Sequence, residues 1–83
     1  MAVIDDVKLV LRDTLQLGDR AISFDASTPL FGSLPELDSM AVVSVITGLE
    51  QWFNFTIEDD EITAEIFDTV GNLSEFVTSK LAS

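Results

Sequence analysis

The clearest place for chemistry in this chain is a hydroxyl. Ser39 directly follows Asp38 and opens a run of apolar residues at helical spacing, with Gly32 and Pro35 shaping the approach. That position puts an exposed Oγ at a helix N-terminus, where unpaired backbone N–H groups and the positive end of the helix dipole favour an attached phosphate. A plainer reading makes Asp38 an N-cap and Ser39 a filler of the first turn, and the dipeptide by itself favours it. The chain's omissions limit what the hydroxyl can do. With Cys 0 and His 0, no Ser-His-acid arrangement, thiol nucleophile, disulfide or usual zinc ligand set can form, and no G-x-S-x-G turn frames the serine. Ser39 therefore reads as a substrate of another enzyme, one that transfers a phosphate-containing group onto it, and not as a nucleophile in a reaction of its own.

Composition narrows the partners. Four Lys+Arg against 15 Asp+Glu give a net charge of −11, which leaves nothing to neutralise a phosphate backbone and excludes nucleic acid. The run from Glu58 to Glu61, with Glu65 and Asp68 nearby, lacks the Asp-x-Asp-x-Asp-Gly spacing and terminal Glu of a calcium loop, so it reads as a solvated acidic patch and no metal site is assigned. Self-repulsion at −11 predicts a fold that gains stability with salt or divalent cations. Hydrophobic residues at 47% place the chain among folding sequences, and 83 residues suffice for one domain, residues 1–83, around one core. The longest uncharged stretch, Ser39 to Leu49, is too short to cross a bilayer, and Asp5 and Asp6 stand where a signal peptide carries cations. The expectation is a soluble cytoplasmic monomer without membrane insertion.

The elements that must position Ser39 follow from periodicity. Ile4, Val7, Leu11 and Leu15 define a first helix, with Asp5 and Asp6 in its first turn and an end near Gly18. From Asp19 to Glu36 periodicity gives way to Pro29, Pro35, Gly32, Ser23, Ser27 and Ser33, a long loop to be pinned by Phe24, Leu30, Phe31, Leu34 and Leu37. Val42, Val45, Ile46, Leu49 and Phe53 mark the second helix, capped by Asp38; its interior Gly48 points to a close helix crossing. An acidic turn then leads into a short helical piece with Ile62, Ile66 and Phe67. A last helix starts near Thr69, with Val70, Leu73, Val77 and Leu81 on one face, Phe76 at its edge and Lys80 in its last turn. No convincing β-alternation appears. The expected fold is all-α: a small bundle of three longer helices and one short one, with a long loop between the first two.

Taken together, Pro29-Leu30-Phe31, Leu37-Asp38-Ser39-Met40, the Val45 to Phe53 helix and Phe67-Asp68-Thr69-Val70-Gly71-Asn72-Leu73 resemble the acyl carrier protein family, in the same order and at similar spacing over nearly the whole chain. The resemblance implies that Ser39 carries 4′-phosphopantetheine, placed there from coenzyme A by a phosphopantetheinyl transferase. The arm's thiol, which a chain without Cys does not otherwise possess, then holds acyl cargo as a thioester, and no residue of the chain is catalytic. It further implies that Asp38 flanks the attachment site and helps hold the transferase's metal. Met40, in place of the usual Leu, becomes an exposed apolar contact for partners, and Ile46, Leu49, Ile62 and Ile66 become an acyl pocket. A stripe at helical spacing is more often ordinary core than a pocket.

Departures from the family pattern bear on partners. Where fatty-acid carriers place several acids on the exposed face of the second helix, this chain has Ala41, Val43, Ser44 and Thr47, then Glu50, Gln51 and Trp52. Partner recognition is accordingly assigned to Met40, Val43, Glu50 and Trp52, with Trp52 alternatively an edge of the core over Phe55. The stretch from Leu34 to Val43 is similar to carriers of bacterial surface-polysaccharide or exosortase-type systems, and its Asp-Ser-Met form also to D-alanyl carriers. That implies an acyl- or aminoacyl-activating ligase and a downstream acyltransferase or synthase as partners, in a specialised lipid, polysaccharide or secondary-metabolite pathway. An aminoacyl or peptidyl carrier and an unmodified acidic interaction module remain as alternatives.

Overall fold

In the computed structural model, residues 2–32, 34–35 and 37–82 are described; Ser33 and Glu36, placed in the loop by the sequence, lie outside them. The order is α1 (Val3–Leu15), a 3-10 turn (Gly18–Ser23), α2 (Ser39–Phe53), two short 3-10 segments (Asp59–Glu61 and Ala64–Phe67) and α3 (Val70–Ala82). Helix α1 packs against both α2 and α3. This is the expected all-α architecture of three longer helices plus a short helical region, the latter divided in two.

Helix α1 buries Val7, Val10, Leu11 and Leu15, a stripe at helical spacing, and sets Asp5 and Asp6 against the positive end of its dipole. It stops earlier than the sequence implies. Gln16 takes the left-handed conformation (φ 56°) that closes the helix, so Gly18 (φ 60°) is left to bend the chain beyond it. The following residues are not plain loop. Gly18–Ser23 forms a 3-10 turn that buries only Ala21, and a single buried position leaves no periodic signal to read.

Helix α2 begins at Ser39 and is closed after Phe53 by Asn54, again left-handed at φ 58°. Gly48 sits where α1 crosses: a Cβ there would lie 3.1 Å from Thr14 Oγ1 and 3.1 Å from Val10 Cγ1, so only a residue without a side chain admits this approach without displacement.

The long loop is pinned by backbone as well as by side chains. Leu30 N–H donates to Asp68 O (3.0 Å), Phe31 N–H to Phe67 O (2.9 Å), Val70 N–H to Thr28 O (3.0 Å) and Gly71 N–H to Ala26 O (2.8 Å). Pro29 and Thr69 thereby form an isolated antiparallel bridge. Extended chain alternates its side chains, so Leu30 is fully buried while Phe31 is half exposed. Of the expected pins, Leu30 and Leu37 are buried in the core, Phe24 and Leu34 pack partly against it, and Phe31 faces outward.

In α3, Val70, Leu73 and Val77 are fully buried and Phe76 lies partly so, but Leu81 is 46% exposed because the helix runs past the core at its end. Ser74 is the buried polar residue of this face; its Oγ donates to Val70 O at 2.8 Å and so costs little.

Candidate functional site

Asp38 stands just outside α2 in extended conformation (φ −102°, ψ −173°), and its Oδ1 accepts the Ala41 N–H at 2.8 Å. This is the N-cap expected from sequence. It satisfies one of the orphan donors of the first turn and holds Ser39 as the first helical residue, with its side chain exposed.

Beside Ser39 lies an open, largely apolar hollow of about 280 Å³ lined by Phe31, Ser39, Val42, Ile62, Thr63, Ala64 and Phe67. Three regions meet here. The loop contributes Phe31, held at the rim by its bond to Phe67 O; α2 contributes Val42 one turn below the serine; the second 3-10 segment and the junction before it supply the opposite wall. That wall is anchored from α3. Lys80 Nζ reaches Glu61 Oε1 at 2.9 Å and Oε2 at 2.8 Å, and Glu58 and Glu61 close a capping box around the turn that leads into Ile62. The Lys80 hydrogen bond, seconded by the Glu58 N–H, holds the Glu61 carboxyl below its ordinary pKa.

The four residues expected to form one acyl pocket do not share a space. Ile62 lines the hollow. Leu49 is fully buried and Ile46 nearly so, both in the core, because they continue the buried stripe of α2 toward α1. Ile66 belongs to a separate hollow with Glu65, Asn72, Glu75, Phe76 and Ser79. The lining that sequence reasoning missed is Phe31, Val42, Thr63, Ala64 and Phe67. Val42 was within reach, since i+3 from Ser39 shares its side of a helix; the others arrive only through tertiary contacts.

The expected partner residues also separate. Met40 is 76% exposed and Val43 59% exposed, both within the first turns of α2. Trp52, 47% exposed, lies about 18 Å farther along the axis and about 120° round it from Met40. It borders the α1 crossing with Val10, Asp13, Thr14, Gly48 and Gln51. Phe55 stacks instead on Phe53, ring centroids 5.8 Å apart. Glu50 is partly buried, and its Oε2 accepts the Ile57 N–H at 2.8 Å, tying the chain after α2 back to the helix. Its carboxylate is a structural acceptor, more than the surface role the sequence allows it.

An exposed hydroxyl at a helix start, next to an open apolar trough, accommodates a phosphodiester-linked arm. These features define a small helical protein built to bear a covalent group. Residues 5–77 match the family model described as the phosphopantetheine attachment site. The chain is 34% identical over 77 residues to the acyl carrier protein of Sulfurovum sp. (strain NBC37-1), covering 93% of this chain and 96% of that one. It matches the solution NMR structure of a holo acyl carrier protein from Nitrosomonas europaea with a TM-score of 0.93 and 49% identity over 100% of both chains. The protein belongs to the acyl carrier protein family, and its prosthetic group is 4′-phosphopantetheine. No helix among the described residues is long and apolar enough to cross a membrane.

Proposed function

We propose that Ser39 Oγ is the attachment point, and that residues 1–83 act as one carrier domain presenting acyl or related cargo to partner enzymes. The observation that carries this reading is the exposure of Ser39 at the capped start of α2, beside an open apolar hollow. The arm, when bound, supplies a thiol on a flexible tether that holds cargo as a thioester. The chain's own residues do the rest. Asp38 fixes the helix start by accepting the Ala41 N–H, which leaves its second carboxylate oxygen to face whatever docks there, including the metal of a transferase. The N–H groups of the first turn favour the phosphate electrostatically, while Phe31, Val42 and Ile62 offer the proximal arm an apolar surface that excludes water from one side.

On this reading the chain is a substrate and not a catalyst. It is modified in the cytoplasm by a phosphopantetheinyl transferase, loaded by an acyl- or aminoacyl-activating ligase, and unloaded by an acyltransferase or synthase. A specialised pathway is favoured over housekeeping fatty-acid synthesis, because α2 from Ser39 to Leu49 carries no charge with which to attract basic elongation enzymes. Efficient malonyl loading and chain elongation would overturn that part. Attachment itself is tested by intact mass after incubation with coenzyme A, Mg²⁺ and a broad-specificity transferase. The parent should gain the mass of one arm and Ser39→Ala none. A gain in Ser39→Ala would place the arm elsewhere.

A further inference from the structure

Charge is divided unevenly along this chain. Residues 1–23 hold Lys8, Arg12 and Arg20 against Asp5, Asp6, Asp13 and Asp19, a net −1, while the other 60 residues hold Lys80 against 11 carboxylates, a net −10. Two of those cations share a face of α1. Asp5, Lys8, Leu9 and Arg12 follow i, i+3, i+4, i+7 spacing, and with Ala21 and Ile22 of the 3-10 turn they line a mostly apolar hollow of about 230 Å³. This face is not the one that builds the fold. The core stripe of α1 is Val7, Val10, Leu11 and Leu15; α2 crosses at Val10 and Thr14, and α3 borders Val3 and Ile4. Leu9 is left half-buried and Ile22 is 69% exposed. Lys8 Nζ donates to Ile22 O at 3.4 Å, a long bond that takes one of its three protons. Arg12 pairs through Nε with adjacent Asp13 at 3.1 Å while its side chain stays 41% exposed, a surface pairing that holds it weakly. Lys8 and Arg12 stand at i and i+4, a like-charge spacing that destabilises a helix slightly and concentrates positive charge at the rim.

We propose that this face of α1 is a docking surface for an acidic segment of a partner protein, whose apolar side chain enters the hollow beside Leu9 and Ile22 while flanking carboxylates meet Lys8 and Arg12. The argument is charge complementarity. The apolar anchor gains by leaving water, and the carboxylates gain charge-assisted hydrogen bonds at the rim. Asp5, at the N-terminal end of the face, repels a carboxylate placed there and so fixes the direction in which the segment lies. A short segment feels Lys8 and Arg12 locally, whereas an anionic membrane or polymer, extending past the screening length of about 8 Å, meets the repulsion of the whole chain. No residue lining this hollow lines the one beside Ser39, so the surface is separate from the attachment site.

The test is an NMR titration of the isotope-labelled full chain with a synthetic helical peptide of about 15 residues made of Leu, Ala and Glu. Shifts should centre on Leu9, Ala21 and Ile22, with a Kd below about 1 mM at about 0.05 M salt that weakens at least about threefold at about 0.5 M. Lys8→Glu combined with Arg12→Glu should weaken binding at least about tenfold, and Ile22→Ala about fivefold. Lys8→Gln combined with Arg12→Gln, which adds no negative charge to strain the fold, should weaken it about threefold with circular dichroism and melting like the parent. Transfer of the arm from coenzyme A should change less than about twofold in these variants, read as kcat/KM. The absence of shifts up to about 1 mM peptide, shifts centred on Met40 and Val43, or equal binding at α1 of a peptide with Lys in place of Glu would each overturn the inference. So would a larger fall in arm transfer, which would make the two surfaces one. All of these leave attachment at Ser39 intact, and an arm found on another residue overturns the attachment reading alone.

Discussion

Helices α2 and α3 start with the same local chemistry and use it in opposite ways. Asp38 Oδ1 caps the Ala41 N–H at 2.8 Å, and Thr69 Oγ1 accepts the Asn72 N–H at 3.1 Å. In α3 the first turn is then consumed: Val70 and Gly71 donate to Thr28 O and Ala26 O, Val70 is fully buried, and a Cβ on Gly71 would stand 2.7 Å from Ala26 O. In α2 the first turn is left open, with Ser39 and Met40 exposed. The Thr-Val-Gly-Asn-Leu segment is thus a backbone clamp on the long loop, and the Asp-Ser-Met segment a capped helix start whose first residues are exposed.

The comparison predicts unequal responses to small substitutions. Gly71→Ala should destabilise most, by about 2 to 3 kcal/mol, because the new methyl meets a backbone carbonyl that cannot move without releasing the loop. Chemical denaturation reads this directly, and a loss under about 0.5 kcal/mol would show that the loop yields easily. Asp38→Ala should cost about 1 kcal/mol, the usual worth of an N-cap, and Thr69→Ala a similar amount. Ser39→Ala should shift the melting curve hardly at all, within about 0.5 kcal/mol, since its side chain is exposed. A large loss there would make Ser39 a structural residue like its counterpart in α3.

The smallest effect concerns the wall of the hollow. Lys80 holds the Glu61 pKa below its ordinary value of 4.5, so the folded pKa lies below the unfolded one. The pair's contribution is then present above the unfolded pKa and lost as pH falls through the folded one. Asp25, lowered chiefly by the Ser27 hydroxyl, titrates in the same sense, so a variant is needed to separate the two. In Lys80→Gln the stability lost between about pH 5 and about pH 3 should be smaller than in the parent; equal losses would mean that the pair contributes nothing measurable.

Legibility in the sequence followed how local each cause is. The Asp38 cap, the α2 stripe and the Gly48 crossing are each set by side chains within a few positions or by a missing one, and all three could be read directly. The end of α1 could not: Gln16 adopts a left-handed conformation for which Gly18, two residues on, has the lower steric cost. The role of Gly71 depends on Ala26, the role of Glu50 on Ile57, and the hollow on Phe31 and on Thr63 and Phe67 arriving from two distant parts of the chain. The separate placement of Ile46, Leu49, Ile62 and Ile66 was illegible for the same reason. Periodicity says that Ile46 and Leu49 share a buried face, but not that this face looks into the core while Val42 looks into the hollow.

The central claim is that the uncovered start of α2 bears the prosthetic group. Fragmentation mass spectrometry of the chain loaded from coenzyme A tests it most directly, by locating the added arm along the sequence. The account predicts the arm on Ser39 in every modified molecule. An arm on any other serine or threonine, with Ser39 unmodified, would contradict it.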